Sequence, residues 1–215
     1  MINDRYYEEF LLAYLRTATG EMSCRNVETL MSLAHAKGIK YYNFKRAQPL
    51  LPRVRAVMGI LKALQFDTIL DVGSGRGVFL WPFMDEFPCV ETFAVDLLPR
   101  RVDDMRMVRT GGFSRLHPLL GDICRLDFET SSADVVSMLE VLEHIPNPEE
   151  AVRNAVRIAR KYVVVSVPSQ PDDNPEHLHL LTKEKLTSLF GTEGCTRLNF
   201  SGVPGHLLMR ASKGA

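Results

Sequence analysis

The chain has 215 residues, 46% of them apolar, enough to fill a three-layer core in one domain or in a domain with a small extension. Its 26 Lys and Arg balance 26 Asp and Glu, so it lacks the net positive field that duplex nucleic acid or an anionic membrane attracts, although local patches stay open. No apolar run reaches the ~20 residues of a membrane span, no basic-then-apolar leader opens the chain, and the four cysteines form no C-x-x-C pair. These features argue for a cytoplasmic protein with no structural zinc or disulfide framework, its cysteines serving as small buried hydrophobes.

The spacing predicts a helix over residues 5–19, with Tyr6, Phe10, Leu11, Tyr14 and Leu15 on one face, and another over 25–37, stopped by Gly38. Pro49 and Pro52 punctuate the next stretch. Val54, Val57, Met58, Ile60, Leu61 and Leu64 then recur at helical intervals. Residues 1–48 read as a helical cap joined, without a low-complexity linker, to a domain over 49–215. Strands are expected near 67–72, 91–96, 115–120, 133–139 and 161–167, and helices near 76–87, 99–110, 148–160 and 182–190. That alternation is the pattern of a doubly wound parallel sheet. Two final strands, 194–200 and 205–211, are joined by Ser201–Pro204. This link is too short for a parallel crossover, so one strand must be antiparallel. Arginine groups at 100–109 and 153–160 read as solvated helix faces and helix ends.

One stretch dominates the sequence: Ile69-Leu70-Asp71-Val72-Gly73-Ser74-Gly75-Arg76-Gly77. An apolar strand ends in an acid, and glycines follow at alternate positions. Glycine permits φ > 0 and lets backbone approach a ligand, and the helix expected next would aim its positive end at the turn. A second strand, Thr92-Phe93-Ala94-Val95, ends at Asp96, where a carboxylate can take both hydrogen bonds of a ribose diol. The spacing is G-x-G-x-G, whereas a dinucleotide fingerprint is G-x-G-x-x-G/A. A carboxylate two residues ahead of the first glycine also suits a cation better than a pyrophosphate.

With Asp122 in Leu120-Gly121-Asp122-Ile123, and the run Val135 to Pro148, the set resembles the class I S-adenosylmethionine-dependent methyltransferases over positions 50–211. The resemblance implies a Rossmann-like seven-stranded sheet of order 3-2-1-4-5-7-6, with the last strand antiparallel, behind the N-terminal helical extension. It implies that Asp71, Gly73, Ser74, Gly75 and Gly77 hold the methionine part of the cofactor. Asp96 would grip the ribose, with Leu97 against the adenine. Asp122 would meet the adenine amine, Ile123 would form an apolar wall, and Leu139 would line the pocket. An arginine about twenty residues ahead of Gly73 contacts the cofactor in ubiquinone-type O-methyltransferases, which points to Arg53, with Arg46 and Arg55 as competitors.

Glu140, Glu143 and His144 form E-x-x-E-H after the fourth strand, and His177 and His179 follow in a later loop. These residues read first as scaffold, with no metal assigned. A divalent metal held by Glu140, Glu143, His144 and His179 is the competing reading, and metal-dependent RNA 2′-O-methyltransferases carry a similar pattern. His144 is also the candidate general base, with His177 and His179 as rivals. The expected activity is in-line methyl transfer from S-adenosylmethionine to a small-molecule acceptor. A monomer or homodimer is expected, with no membrane partner and no nucleic acid. The alternatives are the metal-dependent RNA enzyme, an NAD-dependent oxidoreductase or epimerase, and a cofactor-binding module without turnover. Tyr6, Tyr14, Tyr41, Tyr42 and Phe44 are expected either to cover the site mouth or to pack in the core.

Overall fold

The computed structural model describes residues 6–171 and 173–213. Seven strands form one sheet in the order β3-β2-β1-β4-β5-β7-β6. They are β1 (Thr68–Val72), β2 (Glu91–Asp96), β3 (Leu116–Leu120), β4 (Ala133–Leu139), β5 (Ala159–Pro168), β6 (Arg197–Val203) and β7 (His206–Ser212). The first five run parallel, and β7 lies antiparallel between β5 and β6. The seven α-helices are α1 (Glu8–Thr19), α2 (Val27–Ala36), α3 (Pro52–Lys62), α4 (Leu80–Glu86), α5 (Pro99–Thr110), α6 (Pro148–Ile158) and α7 (Lys183–Thr192). Three of them open on proline, whose missing N–H is no loss at the first helical position. Asn26 and Thr182 cap α2 and α7 through their side chains.

The central strands are apolar on both faces, as strands covered by helices must be. Their alternation divides the interior. Ile69, Val135, Val164 and Leu208 face one core with α1 to α5, whereas Leu70, Val136, Val163, Val165 and Met209 face a second core with α6 and α7. The same period of two aligns Asp71, Ser137 and Ser166 on the first face, and all three are buried. They form a polar stripe near the carboxyl ends of β1, β4 and β5, on the side covered by the N-terminal segments.

Those segments are built into the first core. Phe10 lies 5.5 Å from Trp81 and 4.5 Å from Phe113, and Phe44 lies 5.0 Å from Trp81. Tyr14 and Phe44 are core residues, whereas Tyr42 is exposed. The aromatic set expected at the mouth is therefore divided between packing and surface. Helix α1 crosses α5 so closely that a Cβ on Gly111 would sit 2.2 Å from the Ala13 carbonyl oxygen. Because backbone cannot yield as a flexible side chain does, Gly111→Ala is expected to cost about 2–3 kcal/mol, the upper range of overpacking. Thermal unfolding would register this as a lower Tm.

Three expectations from the sequence are corrected. Helix α4 begins at Leu80 rather than 76, because Gly73, Gly75 and Gly77 all have φ between 55 and 79°, outside the helical region. Pro82 lies in its first turn, where a missing N–H costs nothing. The final turn is Pro204-Gly205, with Gly205 at φ 83°, so β6 starts three residues later than expected and Ser201 to Val203 remain paired. Of the cysteines only Cys195 is buried; Cys24 and Cys124 are half-buried and Cys89 is exposed. The arginine groups also bind loops as well as water. Arg157 donates to the Phe128 and Leu126 carbonyls, and Arg160 pairs with the buried Asp134.

Candidate active site

Asp71 is the penultimate residue of β1, at 2% exposure. Its Oδ1 accepts a 2.8 Å hydrogen bond from the Ser137 hydroxyl, while Oδ2 is buried with no hydrogen-bond donor among the described residues. Burial pushes its pKa up to about 6, with Ser137 and Ser74 opposing and Asp96 adding to the rise. A carboxylate oxygen buried without a donor is costly, and this one lies on a cleft. Asp71, Gly73, Ser74 and Gly75 form one wall, and Leu139, Glu140 and Ser166 form another. Arg53 also lines the cleft, so the structure separates it from its competitors. Arg46 bonds to Asp85 at 2.9 Å and stacks on Tyr7, and Arg55 lines a different groove.

The glycine loop is held close to the sheet. Gly73 N–H and Ser74 N–H both reach the Val95 carbonyl, at 2.8 and 3.2 Å. A Cβ on Gly73 would meet the Val141 side chain at 2.6 Å, and one on Gly77 would meet the Trp81 indole at 2.0 Å. Both glycines also have positive φ, so two constraints require the residue at each position.

Asp96 ends β2 and is 7% exposed. Its Oδ2 accepts from Gly75 N–H at 2.7 Å and its Oδ1 from Leu98 N–H at 2.9 Å, which ties the acid to the glycine loop and fixes its rotamer. Each oxygen keeps a further lone pair for a hydroxyl. Leu97, Leu98, Leu120 and Val78 are exposed around it, an apolar surface beside a carboxylate. Asp122 caps a short 3₁₀ turn, Ile123–Arg125, through the Cys124 N–H at 2.9 Å. Ile123 packs in the second core at 3% exposure.

The residues after β4 separate. Glu140 has φ 57°, a conformation that costs a non-glycine residue energy, and its carboxylate meets Ser166 Oγ at 2.7 Å and His206 Nδ1 at 3.0 Å. His179 lies 3.3 Å from the Pro146 carbonyl. Neither joins Glu143 and His144, whose ligand atoms cluster with His177 instead. The four residues grouped by spacing therefore do not come together. His144 does not line the cleft; its Nδ1 faces the Glu176 carbonyl at 3.0 Å.

Residues 29–196 match a family described as a methyltransferase domain. The chain belongs to that family. Its sheet order and reversed last strand are those of the class I S-adenosylmethionine-dependent methyltransferases. No curated protein matches the chain. Solved structures share the fold. A SAM-dependent methyltransferase of Aquifex aeolicus is 16% identical over 75% of this chain and 97% of its own, at a TM-score of 0.61. Magnesium protoporphyrin IX methyltransferase of Synechocystis, with bound SAH, is 14% identical over 75% and 81%, at 0.61. A candidate O-methyltransferase of Nostoc punctiforme is 17% identical and covers 96% of this chain and 72% of its own, at 0.64. None of the described helices is long and apolar enough to cross a membrane.

In this methyltransferase several site residues carried no individual sequence signal. Ser137 and Ser166 are single polar residues inside apolar strands, and such an interruption is a cue that could have been read. Arg76 and Val78, within and beside the glycine run, line both the cleft and the cavity next to it. His206 reaches Glu140 only because β7 inserts beside β5.

Proposed function

We propose that this methyltransferase binds S-adenosylmethionine along the carboxyl edge of the sheet and methylates a small-molecule acceptor. The observation that carries the reading is Asp71. A buried carboxylate oxygen without a donor, on a cleft walled by glycine backbone, fits an ammonium group, and Arg53 on the same cleft suits the accompanying carboxylate. Asp96 fits the ribose diol, and the exposed Leu97 and Leu98 beside it fit a purine face. Asp122 is the candidate for the adenine amine. The cofactor supplies an electrophilic methyl on sulfur, so the residues of the chain chiefly orient reactants and exclude water.

The acceptor reading is supported by a second cavity of about 190 Å³ that shares Arg76 and Val78 with the cleft and is bounded by Tyr7, Tyr42, Leu50 and Leu51. This half-open recess is mostly apolar, a lining that suits the apolar body of a small organic molecule. The test is incubation with methyl-labelled cofactor and separate pools of small phenols, amines and carboxylates, RNA and protein. Label is expected in a small-molecule product. Label confined to RNA or protein would overturn the acceptor class, and cofactor binding with no labelled product would favour a module without turnover.

The pH dependence follows from Asp71. Its folded pKa of about 6 lies above the unfolded value near 3.9. Between these values the folded chain holds a proton that the unfolded chain has lost. The stabilisation from this group is thus full below about pH 4 and is lost as pH rises through about 6. Cofactor affinity should move the other way, since an ammonium needs the ionised acid. Calorimetric titration across pH 5–7 is expected to show binding strengthening with a midpoint near 6. Asp71→Asn should bind weakly with no such midpoint.

A further inference from the structure

We infer that Glu143, His144 and His177 form a binding site for one divalent transition cation of the zinc class. One ligand atom from each residue lies within 4.8 Å of the others. Bonds of about 2.0–2.2 Å to a tetrahedral ion require ligand atoms about 3.4 Å apart, so modest side-chain rotations suffice. The two imidazoles are packed edge to face, with centroids 4.7 Å apart.

Ring orientation favours the site. A carbonyl oxygen only accepts, so the 3.0 Å contact between His144 Nδ1 and the Glu176 oxygen requires the proton on Nδ1. Nε2 is then the ring nitrogen left to face an ion, and the contact to the Glu176 carbonyl fixes the ring as it does for many metal-bound histidines. Glu143 is fully buried, and a buried carboxylate is stable where a cation neutralises it. Imidazole donors select zinc-class ions over magnesium or calcium.

The backbone brings the ligands together before any ion arrives. Glu143 and His144 lie on the 3₁₀ turn Leu142–His144 after β4, and His177 lies on the segment between β5 and α7. Leu178 N–H donates to the Glu143 carbonyl at 2.8 Å, and His177 N–H to Asn174 at 3.0 Å. Three protein ligands leave one position for water or an acceptor oxygen. The ion would fasten the loop around His177 to the turn three residues beyond Glu140, at the edge of the cleft.

The experiment uses the full chain, stripped with a chelator and titrated with Co²⁺ and then Zn²⁺, with no methyl donor present. Its outcome is therefore independent of cofactor binding. One equivalent of Co²⁺ should bind with the visible bands of a four- or five-coordinate ion, and Zn²⁺ should abolish them. His177→Ala should weaken binding at least about 100-fold, the upper end of what losing even a group that only hydrogen-bonds to a ligand costs. His179→Ala, two residues away and outside the cluster, should leave it unchanged. An absence of stoichiometric uptake, or a His177→Ala protein binding as tightly as the original chain, would overturn the site. Should that variant fail to fold, hydrogen exchange on the unsubstituted chain decides. Zn²⁺ should protect residues 174–178 reversibly, and unchanged exchange there would reject the proposal.

Discussion

Asp96→Ala is expected to weaken S-adenosylmethionine binding about 100-fold or more. The carboxylate is held by Gly75 N–H and Leu98 N–H, so its orientation is set before a ligand arrives. Two hydrogen bonds from a ribose diol to an ionised acceptor contribute about 1.5–3 kcal/mol each, and about 1.4 kcal/mol is tenfold in affinity. The lower end alone gives two decades. The substitution also removes the acceptor for two backbone donors, so stability should fall by about 1–3 kcal/mol. Isothermal titration reads the first effect and thermal unfolding the second. A folded variant that binds like the unsubstituted chain would show that Asp96 serves the loop and not the ligand.

The second large effect is expected at Gly77. A Cβ there would lie 2.0 to 2.4 Å from three atoms of the Trp81 indole, and φ is 79°. Left-handed backbone costs an L-residue about 1–2 kcal/mol. Trp81 is 2% exposed and wedged against Phe10 and Phe44, so it cannot move without disturbing the core between α1 and the sheet. Gly77→Ala should therefore destabilise by about 3 kcal/mol or more, adding overpacking at about 1–3 kcal/mol to the backbone strain. For a chain of this size that lowers Tm by about 6–12 °C. Cofactor affinity should fall with it, because the loop would be displaced. Gly20→Ala is the control. Its φ is 84° but nothing lies within 4 Å of the added Cβ, so only backbone strain of about 1–2 kcal/mol is expected. Equal losses at the two positions would show that the indole contact does not matter.

These two residues show why part of the site was legible in sequence. Asp71, the alternate glycines and Asp96 are read from local grammar: an apolar strand, an acid and a turn that needs positive φ. The pairing sense was legible too, because alternation of strand and helix favours parallel pairing and a short final link forces one reversal, whereas the order of the strands came from the family resemblance. The start of α4 was not legible. Three left-handed glycines and Pro82 each bear on it, yet which of them governs depends on where Trp81 packs. The turn of the final hairpin was misplaced because Ser201 to Val203 look like turn residues locally, while pairing with Leu208, Leu207 and His206 keeps them in the strand.

The polar trio after β4 makes the same point. Spacing in E-x-x-E-H suggested that Glu140 and Glu143 share a face, as they would on a regular helix. The backbone turns left-handed at Glu140 instead. That rotation sends one carboxylate to Ser166 and His206 and leaves the other in the interior beside His144. Likewise, His177 and His179 are indistinguishable in sequence, and the hydrogen bonds of their loop to Glu143, His144 and Pro146 bring only the first to the cluster.

The sequence by itself determined the strand–acid–glycine turn, the carboxylates at the strand ends and the reversal of the last strand. Each of these follows from side-chain periodicity and backbone sterics within a few residues. Only the tertiary structure decided that Arg53 rather than Arg46 reaches the cleft, that Ser137 holds one oxygen of Asp71 and leaves the other bare, and that His177 meets Glu143. Those facts depend on contacts between residues far apart in the chain, and no local pattern encodes the distance that folding closes between them.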